Sequence, residues 1–253
     1  MNYDIINIEF MDRNTINIKN PFFKNYYLEQ LIGYGSTGLV YSAINELDLK
    51  KYAIKLENLY VDKNNIKDIS NYENIKYNTY DDFHKEVNIT KIFNDNNIGP
   101  KFFDSWINHE LEIGIIVTEL WHTTLSLYNS YSIPEKIINK LRQEIEKIHN
   151  LGYIHYDIKK DNVLIKINDY NEIIDITLTD FSLTEKITDK STISLEELYK
   201  YHSTYASDFY IQLTVSDLEN NPMLIDYGLL YQIELCNKNI QIGNYPIKLI
   251  GVK

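Results

Sequence analysis

HYDIKKDNVLI, residues 155–165, sets three different polar side chains just ahead of an apolar run. Asp157 carries a carboxylate that can accept a hydroxyl proton. Lys159 places a cation two residues later, and Asn162 adds an amide three residues beyond that. Phosphoryl transfer from a metal–nucleotide needs such groups close together: Asp157 would orient the attacking hydroxyl, Lys159 would neutralise charge on the transferring group, and Asn162 would hold a metal ion. Val163, Leu164 and Ile165 then start a strand.

Working outward toward the N-terminus, residues 31–41 read LIGYGSTGLVY. Gly33, Gly35 and Gly38 are spaced G-x-G-x-x-G, with Val40 following. Their flanks read as two strands around a tight turn. No helix pattern follows the glycines, which disfavours a dinucleotide-binding strand–turn–helix. Glycines let phosphate oxygens approach backbone amides, although a plain glycine hairpin would look the same. Tyr52-Ala53-Ile54-Lys55-Leu56 is a short apolar strand holding one lysine, which is either a phosphate ligand or a solvated edge charge. Residues 80–93 predict a helix: Asp81 and Asp82 suit its positive end, and Phe83, Val87 and residues 89–93 give an irregular apolar face. The run EIGIIVTEL, residues 112–120, predicts a buried strand. On the other side of the opening stretch, a polar turn at 168–171 precedes a strand at 173–178, which ends in Thr179-Asp180-Phe181-Ser182.

These segments, in this order, resemble the eukaryotic-type Ser/Thr protein kinases, with their G-x-G-x-x-G-x-V loop, V-A-I-K strand, H-R-D-x-K-x-x-N catalytic loop and D-F-G. The resemblance implies ATP and Mg2+, or Mn2+ in its place, as cofactors. It makes Asp157 and Lys159 catalytic and Asn162 and Asp180 metal ligands. It assigns nucleotide binding to Gly33, Gly35, Gly38, Val40, Ala53, Lys55, Glu86, Thr118, Glu119 and Leu164. A buried lysine needs a partner. Glu86 is the choice for Lys55, with Glu73 second and an ordinary solvated glutamate as the plain alternative. Thr118 would stand at the back of the nucleotide pocket, in a strand leading to a hinge between two lobes. Residues 119–121 would offer backbone groups to adenine, unless Trp121 simply packs. Asp226-Tyr227-Gly228 competes with Asp180, but a strand adjacent to the catalytic loop should follow it closely, which favours Asp180. Residues 207–211 resemble the start of the central helix of the second lobe. Asp208 would then tie down the catalytic-loop backbone; a helix N-cap is the alternative.

Four departures stand out. Tyr156 replaces an arginine, Ser182 replaces the glycine of D-F-G, Thr90 lies where an apolar side chain is usual, and no A-P-E is present. The resemblance covers about residues 25–185 and thins beyond Leu183. AIKLE and the shortened late region resemble casein-kinase-1-like and large-DNA-virus kinases. The expected fold is α+β and two-lobed. An antiparallel β N-lobe with one main helix spans about 25–119, and a reduced, mainly helical C-lobe spans about 120–253, after an extension over 1–24. The implied activity is transfer of the ATP γ-phosphoryl group to Ser or Thr of a protein, since Asp-x-Lys is the Ser/Thr pattern. The alternatives are a pseudokinase, which the departures favour, and a small-molecule kinase, which Lys159 opposes.

Composition adds bounds. A chain of 253 residues, 44% hydrophobic, can bury one sizeable two-lobed core. The net charge of −11 disfavours nucleic acid as a partner and is compatible with a basic protein substrate. No apolar run approaches the roughly 20 residues that span a bilayer, so no membrane association is expected. The N-terminus lacks the features of a signal peptide. A single cysteine, Cys236, forbids an internal disulfide and suits the cytoplasm or another reducing compartment, in a host cell or virion were the source viral. Oligomeric state is left open. Tyr156 supplies no cation to a phosphate on the segment holding Ser191, Thr192 and Ser194, so activation by phosphorylation there is not expected.

Overall fold

The computed structural model describes residues 8–12, 15–18, 22–35, 38–59, 78–128, 133–187 and 221–237. The chain divides into two compact units, Met1–Trp121 and His122–Lys253.

In the first unit, β1 (Ile8–Asp12) and β2 (Thr15–Ile18) form an antiparallel hairpin. A six-stranded antiparallel sheet follows, in the order β3-β4-β5-β6-β8-β7. Its members are β3 (Phe22–Phe23), β4 (Tyr26–Tyr34), β5 (Gly38–Asn45), β6 (Lys51–Asn58), β7 (Phe102–Asn108) and β8 (Ile113–Glu119). Alternation places Tyr52, Ile54 and Leu56 of β6 in the core, packed with Ile113, Ile115 and Val117 of β8. The other face of β8 is covered too: Ile116 packs with Phe83 and Val87 of the helix α1 (Tyr80–Asp95). Burial on both faces is why β8 reads as an unbroken apolar run. A Cβ on Gly114 would run into the Phe83 ring, so a side chain there would push α1 off the sheet. The helix starts with a capping box. Thr79 accepts from the Asp82 N–H at 3.1 Å, and Asp82 accepts from the Thr79 N–H at 2.9 Å. Its buried stripe, Phe83, Glu86, Val87, Thr90 and Phe93, follows the three-and-four spacing of one helix face. Two of its members are polar, which is what makes the apolar face irregular.

The second unit holds α2 (Glu135–Asn150) and α3 (Leu224–Asn237). A three-stranded sheet runs β12-β11-β9, from β9 (Thr123–Thr124), β11 (Val163–Ile167) and β12 (Ile173–Leu178). A short pair joins β10 (Tyr153–Ile154) to β13 (Glu185–Lys186). One face of α2 buries Ile137, Ile138, Leu141, Ile145 and Ile148. A single 3-10 turn, Lys160–Asn162, leads the polar stretch into β11. The architecture is α+β, with an antiparallel sheet and one helix in the first unit. Helix outweighs strand in the second among the described residues.

Candidate active site

The first unit contains the glycine turn and Lys55. Gly35 N–H donates to the Gly38 carbonyl at 2.9 Å, closing the turn between β4 and β5; Ser36 and Thr37 lie outside the described residues. The three glycines differ in what demands them. A Cβ on Gly38 would run into the Leu56 carbonyl oxygen of the neighbouring strand, so the sheet itself requires glycine there. A Cβ on Gly33 would make ordinary contact with Val40, and one on Gly35 would meet open space. Packing among the described residues requires glycine at neither position. Across the sheet, Val40 pairs with Lys55, and Ala53 with Thr118. Glu119 accepts a hydrogen bond from the indole N–H of Trp121 at 3.1 Å, and Trp121 itself is buried.

Lys55 Nζ lies 2.7 Å from Glu86 Oε1. It also lies 2.5 Å from Glu57 Oε1, a second carboxylate that sequence reasoning overlooked. Glu73 lies outside the described residues. Thr90, one turn beyond Glu86, is buried and donates its hydroxyl to the Glu86 carbonyl at 2.8 Å. The polar group in the helix stripe is thereby satisfied locally.

In the second unit the stretch 155–165 folds into a dense polar network. Lys159 Nζ and Asn162 Nδ2 each donate to Asp157 Oδ2 at 2.7 Å, and Asn162 Nδ2 also reaches the Asp157 carbonyl at 2.9 Å. Both side-chain donors land on Oδ2; among the described residues none lands on Oδ1. His155 is fully buried. Its Nδ1 accepts from the Asp157 N–H at 3.2 Å, which leaves the ring proton on Nε2, 3.2 Å from the Thr179 carbonyl. Thr179 N–H in turn donates to the Asn162 carbonyl at 2.9 Å. These bonds fix the entry to Asp180 against the loop carrying Asp157. Asp180 adopts φ 60° and accepts from the Ser182 hydroxyl at 2.9 Å. Leu164 is half-buried on β11, opposite Thr177 and Thr124.

Tyr156 has φ 66°, a conformation costly for a non-glycine residue. The carboxylate of Asp226 holds it there. Asp226 is fully buried and accepts from the N–H of His155 at 2.8 Å and of Tyr156 at 2.9 Å. His149 Nε2 of α2 lies 2.9 Å from the same carboxylate. The sequence reading considers Asp226 only as a competitor of Asp180, and prefers Asp180. Here its carboxylate ties down the backbone of residues 155 and 156, the kind of task that one of the two readings of Asp208 describes; Asp208 lies outside the described residues. The signal was the aspartate itself, set among apolar residues in a helix where a charge must have a partner.

Asp180 and Asn162 provide one carboxylate and one amide oxygen. That hard-oxygen set fits Mg2+, which takes one or two protein oxygens and completes its shell from phosphates and water. Among the described residues, no group of three or more His, Cys, Asp or Glu side chains could hold a metal ion unaided. The same holds for membrane spans: no helix is long and apolar enough to cross one.

The protein kinase domain family matches residues 26–212. The chain belongs to that family. It is 27% identical over 177 residues to the probable serine/threonine-protein kinase fhkB of Dictyostelium discoideum, covering 68% of this chain and 14% of that protein. Serine/threonine-protein kinase pakA of the same organism is 31% identical over 176 residues, covering 65% and 12%. Calcium-dependent protein kinase 27 of Arabidopsis thaliana is 24% identical over 228 residues, covering 85% and 42%. The chain thus spans less than half the length of these curated relatives. Against the kinase pattern, Tyr156, Ser182 and Thr90 are its own residues.

Proposed function

We propose that this protein kinase domain transfers the γ-phosphoryl group of ATP to a serine or threonine hydroxyl of a protein. The observation that carries the reading is the state of Asp157. Two donors, Lys159 and Asn162, occupy Oδ2, and Oδ1 is left to accept the proton of an incoming hydroxyl. As the hydroxyl oxygen bonds to the γ-phosphorus, the bond to the bridging β-oxygen breaks, ADP departs and the proton passes to Oδ1. Lys159 sits at 2.7 Å from that carboxylate and carries the positive charge that offsets charge on the transferring group. Lys55 serves the α- and β-phosphates, and Gly33 and Gly35 admit phosphate oxygens to the backbone. Bound Mg2+, held by Asp180 and Asn162, would neutralise the phosphate oxygens.

The Ser/Thr preference rests on Lys159 and on relatives named as serine/threonine-protein kinases. A basic protein substrate accords with the net charge of −11. A non-catalytic nucleotide-binding role is the second reading, and the Ser182 hydroxyl on Asp180 favours it by occupying an oxygen that a metal would use. Replacing Asp157 by Asn separates the two. Loss of the proton acceptor should slow phosphorylation of casein by about 10²- to 10⁴-fold with MgATP affinity nearly unchanged, whereas Asp180→Asn should weaken MgATP binding as well. Equal rates for wild type and Asp157→Asn would leave the binding role standing.

A further inference from the structure

Glu57 lies on the same face of β6 as Lys51, Ala53 and Lys55, where alternation predicts partial exposure, yet it is fully buried. Its neighbours across the sheet explain this. Glu57 pairs with Gly38 on β5 and Gly114 on β8, so neither flanking strand offers a side chain there. The space over Gly114 is taken by Phe83 of α1. A carboxylate in such a place is costly unless compensated. Its compensation comes from Lys55 Nζ at 2.5 Å and from Asn78 Nδ2, which donates to Oε2 at 3.0 Å. Asn78 immediately precedes the N-cap of α1, and its N–H donates to the Asn58 carbonyl at 3.1 Å.

We propose that Glu57 is a positioning residue, a strand-borne anchor that holds Lys55 in place independently of α1. The inference rests on the reading of Lys55 as the nucleotide-phosphate ligand. Its argument is geometric. Residues two apart on one strand stay neighbours whatever the rest of the unit does. The Lys55–Glu57 pair is therefore built into β6, whereas the Lys55–Glu86 pair at 2.7 Å requires α1 to be docked. Either carboxylate keeps the ammonium from swinging into solvent. The dependence is mutual: Lys55 is the cation that makes the burial of Glu57 tolerable. Through Asn78, Glu57 also fastens the start of α1 to the end of β6, which presents Glu86 to the same lysine.

Two measurements on the full chain test this. The first is thermal unfolding without nucleotide. Lys55→Met should lower Tm by roughly 10 °C, because it strands a buried carboxylate. Adding Glu57→Gln to that variant should recover about half of the loss. The second is calorimetric MgATP affinity. Glu57→Gln and Glu86→Gln alone should each weaken binding by less than about fivefold, and the pair together by more than about fiftyfold, a coupling of the size seen for groups sharing one partner. The proposal is overturned if Glu86→Gln alone weakens MgATP as much as Lys55→Met, or if the double variant is no worse than Glu86→Gln. Absence of the thermal rescue, with MgATP binding intact, overturns this inference and leaves the kinase reading standing. A wild-type chain that binds no MgATP while the thermal rescue holds overturns the kinase reading, and with it the role of Glu57 toward nucleotide.

Discussion

Ser182 stands where the kinase pattern has glycine, and its hydroxyl donates to Asp180 Oδ1 at 2.9 Å. That bond has two opposing effects. It steadies an aspartate held at φ 60°, and it competes with a metal ion for the same oxygen. A hydrogen bond to a charged carboxylate is worth about 1.5–3 kcal/mol net, less than metal coordination. The competition should therefore weaken the site without abolishing it. Ser182→Gly is expected to lower the Mg2+ concentration giving half-maximal rate by roughly tenfold or more, the equivalent of that single bond; an unchanged Mg2+ titration would show that the hydroxyl turns away when metal binds. At this scale, legibility depended on sequence distance. Asp157, Lys159 and Asn162 sit within one short stretch, and their local bonds follow from that stretch. Glu57 was invisible because its burial depends on Gly38 and Gly114, brought beside it by two other strands. The contacts of Asp226 were not legible because its partners, His149, His155 and Tyr156, lie far back in the chain.

The contact between α2 and β12 contains a buried acid that the reaction does not use. Glu144 accepts the Thr177 hydroxyl on both oxygens at 3.0 Å and the Leu178 N–H on Oε2 at 2.8 Å. Burial outweighs these bonds and pushes its pKa up to about 7 from an ordinary 4.5. The folded state therefore holds a proton that the unfolded state has lost between those values. Its stabilising contribution is full below pH 4.5 and disappears as pH rises through about 7. Glutamine keeps an acceptor for Leu178 and a donor for the Thr177 oxygen while removing the titration. Glu144→Gln should thus exceed wild type in Tm by several degrees at pH 8, the shift amounting to at most about 3 kcal/mol. The two curves should converge toward pH 5. A constant offset at every pH would mean that charge burial at Glu144 is not the cause. Strands and helices themselves were largely legible: β6, β8, β11, β12 and α1 fall on the stretches whose periodicity predicts them. Periodicity does not report a lone acid inside an apolar stripe, since the surrounding pattern stays the same whether that acid faces water or Thr177.

For the whole molecule, the order of motifs carried the fold, because the glycine turn, lysine strand, helix and aspartate loop each constrain the next. The late region was hardest to read, because α3 joins the catalytic loop through one aspartate and a patch of apolar contacts that no local motif announces. The same patch bears on control. Tyr156 is buried with Ile154, beside Leu183, Ile187, Met223 and Ile225. An arginine at this position in the kinase pattern can receive a phosphate from the following segment; here an apolar cluster takes its place. The backbone of the turn is held from within, by the Asp226 carboxylate on the Tyr156 N–H, at a φ that would otherwise relax. A phosphate brought to this surface would find no cation on Tyr156, and the chain already carries a net charge of −11. Ser191, Thr192 and Ser194, available acceptors in the sequence, lie outside the described residues. Phosphatase-treated protein is therefore expected to keep its phosphotransfer rate within about twofold of untreated protein, a change under about 0.5 kcal/mol in barrier. The Ser191/Thr192/Ser194 triple alanine variant should do the same. The check is casein phosphorylation at saturating ATP for all three preparations, with MgATP affinity measured in parallel. A tenfold or greater fall in rate at unchanged affinity, after phosphatase or in the triple variant, would show that a phosphate on that segment orders the site by a route other than Tyr156.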